Sequence, residues 1–250
     1  MRIDAATLFP AAFDYLRLSV TGEALRLGVL DLHVHDIRDF ALDRNKKVDD
    51  APYGGGAGML MAPGPVARAL DHIRTVGPRG TAPHAVLLTP RGARLDQARL
   101  EALARRSWLV LLCARYEGMD ERLHASRFVD EELSIGDYVL AGGDLAALVV
   151  VEGVARLLPG VLGNAESPVQ ESFHGGLLEY PQYTRPEEFE GGRVPRLLLS
   201  GHQGRIDRWR RAMAVKITYR RRPDLLAGAE LTPEEKERLV RWRERDGGED

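Results

Sequence analysis

The sequence predicts an α/β domain on a largely parallel sheet, followed by a small helical domain. Three observations carry this expectation. Short apolar runs alternate with helical patterns over the first two thirds of the chain. The alternation stops in a stretch from Val161 to about Gly176 that is rich in Gly, Asn, Ser, Glu and Pro and has no apolar period. Beyond it, apolar residues recur at helical spacing.

The elements follow in order. Strands are expected at Ile3–Leu8, Leu30–Ile37, Ala85–Thr89 and Leu109–Cys113, and helices at Val66–Val76, Leu95–Arg105 and Asp144–Leu158. Pro159-Gly160 ends the last helix, because proline cannot continue it and glycine takes the left-handed cap. Past the linker, Ile206, Trp209, Met213 and Ile217 mark one helical face, and Pro223 stops that helix. A second helix is expected with Thr232 as N-cap, Pro233 at its first position, and Glu234 and Glu235 beside the positive end of the dipole.

Composition narrows the function classes. The 250 residues are 44% hydrophobic and 29% charged, as in a globular protein with a sizeable core. The lone Cys113 excludes an internal disulfide and any multi-cysteine zinc site, and at the end of the run Trp-Leu-Val-Leu-Leu it reads as a small apolar residue rather than a nucleophile. His33 and His35 share a strand face but have no third ligand at a recognisable spacing, so no metal is expected. Met1-Arg2-Ile3-Asp4 opens no leader pattern, and Leu145–Val151 is too short to span a bilayer, so a cytoplasmic protein without membrane contact is expected. The net charge of −2 does not by itself attract nucleic acid. One local patch does: between Arg193 and Arg222 stand ten Lys or Arg against Asp207.

In parallel sheets ligands bind beyond the C-terminal strand ends, and three apolar runs end unusually. Leu87-Leu88 leads into Thr89-Pro90-Arg91-Gly92, Leu112-Cys113 into Ala114-Arg115-Tyr116-Glu117-Gly118, and Ile135–Leu140 into Ala141-Gly142-Gly143-Asp144. Each sets glycine, over which a ligand can approach bare backbone, beside polar groups that can orient it; singly, each also reads as an ordinary turn. Tyr53-Gly54-Gly55-Gly56-Ala57-Gly58 fits neither phosphate-loop nor dinucleotide patterns and is either a mobile loop or a surface where a flat group meets backbone.

Six collinear blocks resemble the bacterial tRNA (guanine-N1)-methyltransferases of the knotted SPOUT superfamily. They are Leu8-Phe9-Pro10, Val48-Asp49-Asp50 with Pro52–Gly56, Arg115–Gly118, Ser134–Leu140, Pro159–Gly163, and Tyr183-Thr184-Arg185-Pro186. The resemblance implies a deep C-terminal trefoil knot in the parallel sheet, an exception to unknotted connections. It implies a knotted domain over residues 1–162 that binds S-adenosylmethionine, a flexible linker over 163–176, and a helical tRNA-binding domain over 177–250. The cofactor residues it implies are Leu88, Thr89, Pro90, Ala114, Tyr116, Glu117, Ile135, Gly136, Asp137, Tyr138, Val139, Leu140, Gly142 and Gly143. For tRNA it points to Gly55, Gly56, Gly58, Arg185, Arg205 and Arg208, and for assembly to a homodimer with composite sites.

The implied substrate is tRNA with guanine at nucleotide 37. Guanine N1 is protonated at neutral pH, so a base must remove that proton, and an arginine can stabilise the charge that spreads to O6. The family's arginine matches Arg156. Its base is an aspartate before a Ser-Phe pair, and here Glu171 stands before Ser172-Phe173. Ala114 and Arg91 also depart from the usual glycine and glutamine. The competing readings are a SPOUT enzyme acting on ribosomal RNA, a tRNA-binding protein without chemistry, and an enzyme acting on a small nucleotide. The second leaves the strand-end loops unexplained, and the third leaves the basic helix unexplained.

Overall fold

The strand Trp108–Cys113 (β6) is apolar and buried at every position, as expected for a central strand covered on both faces. In the computed structural model, which describes residues 1–124, 127–162 and 171–246, it lies in a five-stranded sheet with Arg2–Thr7 (β1), Asp31–Asp36 (β2), His84–Arg94 (β5) and Glu131–Ser134 (β7). The order is β2-β1-β6-β5-β7 and every pairing is parallel. Two short strands, Asp49–Asp50 (β3) and Leu60–Met61 (β4), pair separately.

Alternation along the strands builds two cores. Ile3, Ala5, Val86, Leu88, Leu109 and Leu111 face helices Ser19–Arg26 (α1), Gln97–Ala104 (α3) and Asp144–Ala155 (α5) through Ala24, Leu103, Val150, Val151 and Val154. Ala6, Ala85, Leu87, Val110 and Leu112 face Val66, Leu70 and Ile73 of helix Pro63–Val76 (α2), with Leu123 of the short helix Glu121–His124 (α4). The result is a three-layer α/β/α unit, Met1–Ala165.

One buried charge sits in this sheet. The Asp4 carboxylate receives hydrogen bonds from Arg2 Nε (2.7 Å), His35 Nε2 (2.7 Å) and Trp108 Nε1 (2.7 Å). Burial pushes its pKa up, but the bonds from His35, Arg2 and Trp108 outweigh burial and hold it at about 2. His35 is thus a packed histidine, and the more exposed His33 meets Asp31.

Besides the short β3–β4 pair and α4, which the sequence reading did not place, two differences shape the sheet unit. A 3-10 turn Pro10–Arg17 and α1 occupy the interval between β1 and β2, where the sequence reading placed no element. The fifth strand is Glu131–Ser134, while Ile135–Leu140, read as an apolar strand end, forms a loop. The strand was hidden because two of its four residues are glutamates. Both are paired, Glu131 with Arg99 and His84, and Glu132 with His124.

The second unit, Glu166–Asp250, carries helices Gln203–Arg221 (α6) and Pro233–Asp246 (α7) and an antiparallel pair, Glu188–Phe189 (β8) with Gly192–Arg193 (β9), which the sequence reading did not include. Its core is Leu177, Ala214, Val215, Leu226 and Leu239. The buried stripe of α6 is Ile206, Ala214, Val215 and Thr218, rotated from the expected one, with Trp209 only partly covered beside Tyr183. Thr218 is tolerated inside because its hydroxyl donates to the Ala214 carbonyl (2.8 Å) and accepts from Leu178 N (2.8 Å). The start of α7 is a capping box: Thr232 Oγ1 accepts from Glu235 N (3.3 Å), and the Glu235 carboxylate accepts from Thr232 N (2.9 Å).

Candidate ligand pocket at the strand ends

The C-terminal ends of β5, β6 and β7 open into one pocket, closed on a fourth side by the first turn of α5. The first wall comes from a break in β5. Its ladder with β7 pairs Leu88 with Leu133 and then Ala93 with the same Leu133, so Thr89–Gly92 loop out of the sheet. Pro90 suits this bulge because it has no amide hydrogen to give the ladder. Gly92 is required there, since a Cβ would sit 2.3 Å from Leu133 N.

The second wall follows β6. Tyr116 adopts φ +58, an uncommon left-handed geometry for a residue with a side chain, and turns the chain so that Tyr116 and Glu117 border the pocket. The third wall, Ile135–Leu140 with Gly142 and Gly143, starts at a turn locked by Ser134, whose hydroxyl donates to the Gly136 carbonyl (3.0 Å) and accepts from Gly136 N (3.2 Å). The second and third walls touch through Gly143 N donating to the Ala114 carbonyl (2.7 Å).

Thirteen of the fourteen residues expected to hold a cofactor line this pocket: Leu88, Thr89, Pro90, Ala114, Tyr116, Glu117, Ile135, Gly136, Tyr138, Val139, Leu140, Gly142 and Gly143. Asp137 does not line it, and its side chain is exposed to solvent. The sequence reading missed Arg115, Gly118, Leu133, Ser134 and Ala146, which also line it. Arg115, Gly118 and Ser134 lay within quoted blocks, but Leu133 became visible only with the strand it belongs to.

The lining joins apolar residues (Leu88, Leu133, Ile135, Leu140, Ala146) to glycines and to Thr89, Ser134 and the acidic Glu117. Such a surface suits a flat, partly apolar ligand with cationic character. Cys113 beneath it is fully buried, and burial followed by nearby Asp144 pushes its thiol pKa well up, which removes it as a nucleophile. Among the described residues no group of three or more His, Cys, Asp or Glu could hold a metal ion.

The other expected site residues are distributed as follows. Gly55, Gly56 and Gly58 are exposed with positive φ, in a loop whose far end meets Glu117: Met59 O accepts from Glu117 N (3.0 Å), and the Glu117 side chain lies against Gly58. Arg156 is the half-buried C-cap of α5. In the second unit Glu171 is half-buried, and the next residue, Ser172, accepts from Glu179 N (3.0 Å). Arg185, Arg205 and Arg208 are exposed there. The expected linker 163–176 lies outside the described residues over 163–170.

A parallel α/β unit with a pocket at its strand ends, followed by a separate unit bearing a basic helix, defines a class: an α/β protein with a strand-end pocket and an appended basic-helix unit. The chain belongs to the tRNA (guanine-1)-methyltransferase TrmD family, whose model matches residues 1–228. Relatives named tRNA (guanine-N(1)-)-methyltransferase include one from Symbiobacterium thermophilum, 53% identical over 98% of this chain and 99% of that protein. Others are from Geobacillus kaustophilus, 49% identical over 97% and 98%, and Clostridium acetobutylicum, 48% identical over 96% of each. Among the described residues no helix is long and apolar enough to cross a membrane.

Proposed function

We propose that this protein transfers a methyl group from S-adenosylmethionine to N1 of guanine at nucleotide 37 of tRNA, in the cytoplasm and as a homodimer. The observation that carries the reading is the single pocket formed by three separate strand ends, in a chain whose family acts as tRNA (guanine-1)-methyltransferases. The bound donor supplies an electrophilic methyl group on a sulfonium sulfur. The residues present fit it: the apolar wall of Leu88, Leu133, Ile135, Leu140 and Ala146 admits its uncharged parts, Gly142 and Gly143 let the second and third walls close tightly around it, and Glu117 on the rim brings a negative charge near a cationic ligand.

The chain's own residues handle the acceptor. Glu171 takes the proton from guanine N1, freeing the ring lone pair, and Arg156 faces the charge that spreads to O6. The Gly55–Gly58 loop, bordering the pocket through Glu117, offers bare backbone to the target base. Arg185, Arg205 and Arg208 hold phosphates, and the excess of basic over acidic residues along α6 supports that role.

A trefoil knot is part of this reading. It is supported by the close contact of residues 141–143 with the Ala114–Arg115 segment, which includes a backbone bridge between Arg115 and Gly142. The homodimer is supported by α5, whose sequence DLAALVVVEGVA is apolar on nearly every side. A helix of that composition belongs in an interior, yet Leu145 and Val149 are exposed, as are Tyr15 on the 3-10 turn packed against α5 and Leu18 just past that turn. In such a dimer each site pairs the pocket of one subunit with Glu171 of the other. Mixing a subunit altered at Gly136–Leu140 with one altered at Glu171 therefore restores activity, whereas mixed dimers that stay inactive contradict shared sites.

The test of the function is a nucleotide map. With methyl-labelled S-adenosylmethionine and a tRNA carrying guanine at 36 and 37, label should appear as N1-methylguanosine at 37 and vanish when guanine 37 is replaced by adenine. Label elsewhere in tRNA, or only in ribosomal RNA, overturns it.

A further inference from the structure

Open parallel sheets commonly take ligands at the switch point, where successive connections leave in opposite directions. Here that point lies between β1, which leads on to β2, and β6, which leads on to β7. It is filled by the protein's own side chains. Arg115 Nε lies 3.2 Å from Asp144 Oδ2, its Nη1 donates to the Ala141 carbonyl (2.9 Å), and its guanidinium carbon sits 4.1 Å from the centre of the Phe9 ring. The second Asp144 oxygen accepts from the Thr7 hydroxyl, which itself accepts from Phe9 N (2.9 Å).

We propose that Arg115, held by Asp144, Thr7 and Phe9, is a positioning residue that sets the spacing of two walls of the methyl-donor pocket. The proposal rests on reading that pocket as the donor site. Arg115 belongs to the second wall by its backbone and grips the third by its side chain, through Ala141. Its stem crosses bare backbone at Gly142, where a Cβ would lie 2.1 Å from Arg115 Cδ. The anchor is firm, because Asp144 is 6% exposed and opens α5, whose body is locked in the core.

A buried ion pair adds little stability over an apolar replacement, so its contribution here is geometric. Arg115 Nε is buried without a hydrogen-bond partner among the described residues, so the pair is held by charge and by the Phe9 stack rather than by a second aligned bond. A planar guanidinium can stack on Phe9, reach Asp144 and bind Ala141 at once. A lysine ammonium cannot. Because the pocket is walled largely by backbone, a shift of either loop moves several ligand contacts together.

The experiment compares full-length wild type, Arg115→Lys, Thr7→Val and Thr7→Ser by calorimetric binding of S-adenosylmethionine, tRNA affinity and thermal unfolding. Arg115→Lys and Thr7→Val should each weaken donor binding about tenfold or more, with tRNA affinity within about twofold, and Thr7→Ser should keep wild-type donor affinity. Donor affinity unchanged in folded Arg115→Lys overturns the proposal, as does Thr7→Ser losing as much as Thr7→Val. If Arg115→Lys does not fold, the two Thr7 variants decide alone. Absence of donor binding in wild type would overturn the reading of the pocket itself, a separate outcome.

Discussion

The strand-end pocket and the basic helix α6 are built by opposite means. The pocket is shaped by backbone: a break in the β5–β7 register, a left-handed Tyr116, and glycines at positions where a Cβ would collide. Side chains there can change if the chain path survives. Arg91, which replaces an expected glutamine, points away from the bulge to pair with Glu121 (2.9 Å). The helix α6 has no such constraint. Its buried stripe holds it to its own unit, while Arg205 and Arg208 are exposed to solvent, Arg208 with its Nε donating to the Gly204 carbonyl (3.1 Å). A backbone-built site discriminates shape, whereas a helix of exposed charges supplies affinity with little discrimination and strong dependence on salt.

The largest expected effect belongs to neither region but to Glu171 of the second unit. Glu171→Gln should slow single-turnover methyl transfer by about 10²-fold or more with donor affinity nearly unchanged, and Glu171→Asp should retain substantial activity. A Gln variant as fast as wild type would show that the proton leaves by another route.

The buried Asp4 of the sheet unit gives the next test. Asp4 is held at about 2, below its usual 3.8, so its contribution is complete above about pH 4 and is lost as pH falls toward 2. The shift corresponds to about 2 kcal/mol of stability for the sheet unit. Asp4→Asn should lower Tm at neutral pH, and its difference from wild type should shrink between pH 4 and 2. A difference independent of pH would contradict the ionised network.

Smaller effects test backbone against side chain inside the pocket. Gly92→Ala must displace Leu133 N and should weaken donor binding roughly tenfold, since overpacking costs about 1–3 kcal/mol. Arg91→Gln should stay within about twofold of wild type. The helix is tested separately. Replacing both Arg205 and Arg208 by Gln should weaken tRNA binding uniformly across sequences and lower the salt slope by about one per lost phosphate contact, with donor binding unaffected.

Much of the sheet unit was legible because its strands are apolar and its helices periodic. β6 and α2 were read to within a few residues for that reason. Glu131–Ser134 was not, because its glutamates find partners only once Arg99, His84 and His124 are folded beside them. The pocket residues were legible as strand-end glycine segments and through the family blocks; Asp137, also expected to hold cofactor, lies outside the lining, since a contiguous block does not say which side chain turns outward. Arg115 went unassigned because its role needs Thr7, Phe9 and Asp144, which are dispersed along the chain. On α6 the apolar periodicity was right in kind, but partly covered Trp209 and Met213 drew the face away from small Ala214 and Val215, which lie at the centre of the packing.

Calorimetry on a chain of residues 1–162 beside the full-length protein tests the division between pocket and helix most directly. The shortened chain should bind S-adenosylmethionine within about threefold of full length and lose salt-sensitive tRNA binding. Unchanged tRNA affinity in the shortened chain would contradict it.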